Sequence, residues 1–155
     1  MRREDREVKE FDGILKIVED CRVCRLALQD EEGLYIVPLN FGYEAGGGRL
    51  TLYFHSAAEG RKLRALAADP RVAFEMDCGH RLLEAERPCG YGYAFKSVVG
   101  CGRAFLVQDP AEKCRALTLL MRHQTGRDFC FSGAEAGTVA VIRLDVERLS
   151  AKVHP

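Results

Sequence analysis

Apolar side chains recur along this chain at two periods. Over residues 8–20, Phe11, Ile14, Leu15 and Val18 fall on one helical face with polar residues opposite, which predicts an amphipathic helix. A strand follows at about 23–29, and Asp30-Glu31-Glu32-Gly33 supplies turn chemistry. From 34 to 43 the period becomes two, with Tyr35, Val37, Leu39, Phe41 and Tyr43 on one strand face. Ala45-Gly46-Gly47-Gly48 interrupts it, and Arg49 to His55 returns, predicting a hairpin with a loose glycine-rich loop.

A helix over 57–68 ends at Asp69-Pro70. Val72, Phe74 and Met76 alternate inward in a strand over 71–77. Residues 78–92 carry three glycines, a proline and mixed charge, and read as a loop. A long strand covers about 93–107, with a bulge or bend expected at Gly100 and Gly102. Asp109-Pro110-Ala111-Glu112 opens a further helix, with Asp109 as cap, Leu117, Leu120 and Met121 as apolar stripe and Gly126 as stop. Two strands, 138–144 and about 147–153, close the chain. Six or seven strands and three helices predict a mainly β fold, a small barrel with flanking helices packed outside.

At 155 residues, the chain fits a single domain spanning 1–155. Lysine plus arginine and aspartate plus glutamate both number 23, so no global field attracts nucleic acid or an anionic membrane. Any anion site must be local. No apolar run is long enough to span a bilayer, and the charged segment Met1 to Glu7 has no signal-peptide core, so a cytoplasmic protein is expected. The seven cysteines are an odd number, which suggests free thiols in a reducing compartment. Cys21-x-x-Cys24 has no second pair at zinc-ribbon spacing, so buried free cysteine accounts for it better than a metal site.

Two local features carry candidate chemistry. Ser56-Ala57-Ala58-Glu59 has the spacing of a capping box, and Arg61 and Lys62 follow within two turns. Free amides at a helix start, the partial positive charge there and two cations could hold a phosphate, with His55 beside the cap. A capped surface helix with a solvated basic face fits the same residues. Second, Pro38 in Val37-Pro38-Leu39-Asn40 cannot donate to a ladder and belongs at an edge or a break in pairing. That would leave backbone groups free for a flat heteroaromatic ring, with Asn40 adding an acceptor and two donors. An edge strand protected from aggregation is the alternative.

Taken together, several collinear segments resemble the FMN-binding split-barrel family that includes pyridoxamine 5'-phosphate oxidase, and within it the 5-nitroimidazole-resistance (Nim) proteins. They are Met1 to Glu7, Tyr35-Ile36-Val37-Pro38-Leu39-Asn40-Phe41-Gly42-Tyr43, Leu52-Tyr53-Phe54-His55-Ser56-Ala57, Gly60-Arg61-Lys62, Asp69 to Glu75, and Lys96-Ser97-Val98-Val99-Gly100-Cys101-Gly102. The resemblance implies a six- to seven-stranded antiparallel split β-barrel and a homodimer with two FMN molecules at the subunit interface. Val37, Pro38, Leu39 and Asn40 would meet the ring edge, and Phe54, His55 and Ser56 would line the ring and ribityl chain. Arg61 and Lys62 would hold the phosphate, and Lys96 and Ser97 would help complete the pocket, from the partner subunit. Phe95 stands where many relatives carry Tyr. The extra basic groups and C-terminal segment with which true pyridoxamine 5'-phosphate oxidases grip their substrate have no match, which argues against the vitamin B6 reaction.

A flavin carries the electrons or hydride itself, so no side-chain nucleophile is required. No Ser-His-Asp pattern stands out, and His55 is the candidate proton donor, with a pocket wall as its other role. The expected activity is an FMN-dependent reductase with a nicotinamide donor and a small nitroaromatic substrate. A non-catalytic flavin-binding or sensing protein is the competing expectation. FAD, a deazaflavin or haem are alternatives to FMN that the motifs leave open.

Overall fold

The computed structural model describes residues 4–155. Met1, Arg2 and Arg3, which belong to the first of the matching segments, lie outside the described residues. In chain order the elements are β1 (Glu7–Val8), α1 (Phe11–Asp20), β2 (Val23–Asp30), β3 (Gly33–Gly46), β4 (Arg49–Ser56) and α2 (Arg61–Ala68). They continue with β5 (Arg71–Leu83), β6 (Gly92–Leu106), α3 (Pro110–Thr125), α4 (Gly133–Ala136) and β7 (Ala140–His154). The 7-stranded antiparallel sheet runs β1-β7-β4-β3-β2-β5-β6, and β6 also pairs with β7. This last pairing closes all strands but β1 into a ring, so the sheet has no long free edge there. The mainly β split barrel with flanking helices is therefore the fold.

The period-two alternation fills the ring. Leu26 and Leu28 of β2, Phe41 of β3, Leu52 and Phe54 of β4, and Phe74 and Met76 of β5 meet Val98 of β6 and Ile142 and Leu144 of β7 in one core. Ile14, Ile17 and Val18 of α1 and Leu63 and Leu66 of α2 join it. Each such side chain, once buried, contributes about 1.5–3 kcal/mol. A second, smaller core lies outside the ring. There Tyr53 of β4 and Val141 of β7 pack with Ala116 and Leu117 of α3 and Ala136 of α4. Among the described residues no helix is long and apolar enough to cross a membrane.

Several expected boundaries shift, each for a local reason. The β3–β4 connection is a tight turn, with Gly46 opposite Arg49 and both central glycines at positive φ (58° and 74°), the geometry of a two-residue hairpin. Residues 78–83 are strand, not loop, because β5 keeps pairing with β6 across a bulge between Cys78 and Arg81. Residues 147–153 are not a separate strand. Cys101 pairs with Arg148 and Gly102 with Val146, so Glu147 is an extra residue in a continuous β7. The irregularity falls at Gly102 as expected, but the residue that breaks the alternation sits on the other strand. Asp109 caps α3 by accepting from the Glu112 N–H at 2.8 Å, and Gly126 ends it at φ 70°.

Helix α3 lies directly on β3, and the contact depends on Gly42. A Cβ there would stand 2.3 Å from the Leu120 nitrogen and 2.5 Å from the Leu119 carbonyl carbon, so any side chain must push the helix backbone away. Gly42→Ala should cost about 2–3 kcal/mol. Thermal unfolding should show a drop of roughly 5–10 °C in Tm; an unchanged Tm would mean that α3 does not pack on β3 this closely.

Candidate functional site

β3 serves two neighbours in succession. Residues 33–40 pair with β2, and residues 41–46 pair with β4. The β3–β4 ladder stops at Phe41 opposite Phe54, yet β4 continues through His55 and Ser56, which pair with Val141 and Ala140 of β7. Beyond that point the two strands part. The stretch of β3 from Tyr35 to Asn40, roughly 17 Å at the strand rise per residue, has a strand partner on one side alone. Pro38, opposite Arg25 of β2, lies within it, the break in pairing that its missing N–H called for.

The candidate residues divide by face. Pro38 and Asn40 are exposed, whereas Val37 and Leu39 face inward against the core, and their backbone groups are the ones turned toward β2. Phe54 does not line a cleft: it is 1% exposed, in the barrel core, with its ring centroid 6.4 Å from that of Phe41. His55 is exposed. Ser56 is buried, and its hydroxyl donates to the Ala57 carbonyl at 2.8 Å.

The capping box at Ser56-x-x-Glu59 does not form. Ser56 still belongs to β4, its backbone engaged opposite Ala140, and residues 57–59 are exposed, so no buried face draws them into a helix. Gly60, at φ 142°, turns the chain into α2, which starts at Arg61 with no side-chain cap. The same Ser-x-x-Glu pattern recurs at Ser132–Glu135, and there it is a true box: the Ser132 N–H donates to Glu135 Oε2 at 2.8 Å and the Glu135 N–H to Ser132 Oγ at 3.3 Å.

At the start of α2 the two cations are not equivalent. Arg61 donates from Nε and Nη2 to the Asp30 carboxylate at 2.6 and 2.8 Å, sits 3.4 Å from Glu32, and lies 4.6 Å over the Tyr35 ring. It therefore clamps α2 to the β2–β3 turn. Lys62 is half-buried and has no ion-pair or hydrogen-bond partner among the described residues. The N–H groups of Arg61 and Lys62 precede the first helical bonds, which Leu63 and Arg64 make to the Gly60 carbonyl. The open β3 edge thus runs from His55 and Ser56 at one end to Arg61 at the other.

Its upper end is held by residues that the sequence reading did not single out. The β2–β3 ladder ends at Val23 opposite Asn40. The Phe41 carbonyl then accepts from Gln124 Nε2 at 2.9 Å and from His123 Nδ1 at 2.8 Å. Asn40 Nδ2 donates to the Arg22 carbonyl at 3.0 Å and to Gln124 Oε1 at 3.2 Å. Asn40 is consequently tied to α3 rather than free for a ring. The available signal was Gln124, a polar residue four positions after Leu120 on the apolar stripe of α3.

Lys96 and Ser97 sit apart from this edge, on β6 between β5 and β7. Lys96 Nζ bonds Asp20 at 2.7 Å, and the neighbouring Phe95 ring lies 6.1 Å from His154. Cys21 and Cys24 are fully buried thiols, both held well above the ordinary thiol value by burial first.

The family model for pyridoxamine 5'-phosphate oxidase matches residues 11–153. Among solved structures, a candidate 5-nitroimidazole antibiotic resistance protein from Bacteroides thetaiotaomicron is 32% identical, with 95% of this chain and 86% of that one covered and a TM-score of 0.81. The flavocytochrome Anf3 from Azotobacter vinelandii is 20% identical over 100% of this chain and 72% of its own, at a TM-score of 0.82. A FAD-binding protein from Mesorhizobium loti is 25% identical over 97% and 98%, at a TM-score of 0.68. No curated protein matches the chain.

The Arg61 hydrogen bonds hold the Asp30 carboxyl below its ordinary value of 3.8. A depressed carboxylate keeps its partner at all higher pH and releases it only as pH falls through the depressed value. Arg61 is therefore tied throughout the neutral range. In Arg61→Ala, the Asp30 titration followed by carboxyl NMR shifts should move up toward the ordinary value; an unmoved titration would contradict the clamp.

Proposed function

The chain belongs to the pyridoxamine 5'-phosphate oxidase family, and on that premise we propose that it is a flavoprotein that holds FMN along the open β3 edge. The observation that carries the proposal is the parting of β3 and β4, which sets an unpaired strand edge in line with the amide-rich start of α2 and with Lys62, which has no partner among the described residues. A ligand with a flat ring at one end and a phosphate at the other suits that line. The Pro38 carbonyl and the backbone groups of Asn40 face the ring, and Lys62 with the α2 amides takes the phosphate. Arg61 joins them by giving up part of its bond to Asp30 or by holding the loop in place. Two of the similar proteins are named for flavin, which supports the class of cofactor.

In this proposal a second copy of the chain completes the site, with Lys96 and Ser97 reaching the partner's flavin. A bound flavin supplies hydride or single-electron transfer. The chain's part is to orient it, exclude water from one face and set its potential. The likeness to a candidate nitroimidazole-resistance protein supports a nitroaromatic substrate with a nicotinamide donor. One observation favours the non-catalytic alternative. The His55 side chain is exposed and makes no hydrogen bond among the described residues, so no protein group holds it in place over a substrate.

Flavin absorbance in the purified or FMN-reconstituted protein tests binding. Bleaching by NADH, with reoxidation by a nitroimidazole, is expected of the reductase; bound flavin without turnover would favour the sensor. The double variant Arg61→Ala/Lys62→Ala should weaken FMN binding at least about tenfold, the loss of one charge-assisted contact. Asp30→Asn, which frees Arg61 and keeps the acceptor for the Glu32 N–H, should tighten FMN binding. Unchanged affinity in both would remove the phosphate assignment.

A further inference from the structure

We propose that the cleft between α1 and α3 binds a free α-amino acid with an apolar or aromatic side chain, at a site separate from the flavin edge. It lies on the other flank of β3 and does not rest on the flavin reading. The two-residue turn makes Gly46 and Arg49 the hydrogen-bonded pair that closes the hairpin, so Glu44 and Gly42 also bond toward β4. Phe41, Tyr43 and Ala45 therefore turn their backbone groups away from β4. The Phe41 carbonyl is met there by Gln124 and His123 at 2.9 and 2.8 Å. The backbone groups that Tyr43 and Ala45 turn the same way have no hydrogen-bond partner among the described residues. The second half of β3 thus has a short open edge of its own.

This edge borders a cavity of about 570 Å³, within the size range of small-molecule sites. Leu15 of α1 and Leu119 of α3 give it apolar walls, and the Tyr43 ring meets the His123 ring edge-on with centroids 5.3 Å apart. Its charged residues are Glu19, Arg22, Glu44 and Arg122. Glu44 is bonded to Arg115 and to the Tyr53 hydroxyl, and Arg122 to Asp128 at 2.6 Å. Glu19 and Arg22 have no ion-pair partner among the described residues. Arg22 is held by one arm. Its Nη1 donates to the Glu19 and Cys21 carbonyls at the end of α1, where a cation is favoured, and to His123 Nε2 at 3.3 Å. His123 accepts there because its Nδ1–H is given to the Phe41 carbonyl. Arg22 Nε and Nη2 make no hydrogen bond among the described residues, which leaves an edge of the guanidinium able to grip a carboxylate with two parallel bonds.

A carboxylate and a guanidinium left this way on one cavity suit a zwitterion. The α-carboxylate of the ligand takes Arg22 and its α-ammonium takes Glu19. The N–H and C=O groups of the Tyr43–Ala45 edge supply a further donor and acceptor for the same two groups, and Leu15, Leu119 and Tyr43 receive the side chain. A plain carboxylate would meet repulsion from Glu19, and a plain amine repulsion from Arg22. A longer peptide strand does not suit the edge. The open stretch runs only from Tyr43 to Ala45, roughly 7 Å at the strand rise per residue. It is bounded by the α3 bonds to Phe41 on one side and the turn at Gly47 and Gly48 on the other.

The test is calorimetric titration of the full chain, as purified and again with FMN added, with L-phenylalanine. Saturable binding is expected, at least about tenfold tighter than that of 3-phenylpropionate or phenethylamine, each of which lacks one of the two charges. Arg22→Gln and Glu19→Gln should each weaken it by about the same factor. Hydrogen exchange at the Tyr43 and Ala45 amides should slow on adding phenylalanine. The Glu19 carboxylate makes no hydrogen bond among the described residues, so Glu19→Gln keeps the fold even where Arg22→Gln loosens the end of α1. Affinity for phenylalanine should be the same with and without FMN. Absence of binding, equal affinity for all three compounds, an affinity unmoved in Glu19→Gln, protection away from residues 43–45, or competition with FMN would each overturn the proposal.

Discussion

The change of partner midway along β3 is the constraint on which the rest of the molecule depends. A strand that pairs with β2 over its first half and with β4 over its second must leave one flank of each half without that neighbour. Backbone groups left this way are costly if buried and unmet. The protein meets the need differently on the two flanks. Beyond the β2 ladder, Gln124 and His123 of α3 satisfy the Phe41 carbonyl. Beyond the β4 ladder, the edge stays open and leads to the start of α2. Gly42 stands next to the change of partner and lets α3 come close enough to do its part.

From this constraint follows a barrel closed by β6 on β7 yet split along one line. The split lies outside the hydrophobic core, so stability and the candidate binding edge draw on different faces of the same strands. Tyr35, Val37 and Leu39 hold the inward face while Pro38 and Asn40 show the outward one. The Arg61–Asp30 clamp fixes the far end of the edge by joining α2 to the β2–β3 turn. That pair is partly exposed, so its value lies in geometry more than in stability.

Much of this was legible in the residues. Alternation placed the inward faces of β3 and β5, Pro38 marked the break in pairing, and the Asp109-Pro110 start and Gly126 stop of α3 formed as read. What failed did so where tertiary pairing overrode a local pattern. Ser56 could not cap a helix because its backbone was already engaged with β7, and the identical spacing at Ser132 succeeded because that segment was free. Glu147 broke an alternation that β7 absorbs as a bulge. For the site, sequence could nominate Arg61 and Lys62 as a pair but not distinguish them, since the Asp30 that occupies Arg61 lies 31 residues away. Nor could local spacing show that Asn40 is bound to a glutamine on α3.

The most direct test of a flavin on the open β3 edge is amide hydrogen exchange with and without FMN. The amides of Ile36 and Asn40, which point away from β2, and those of residues 55–62 should slow together on adding FMN, while those of β3 beyond Tyr43, already paired with β4, stay unchanged. Protection appearing elsewhere, or none at saturating FMN, would contradict the account.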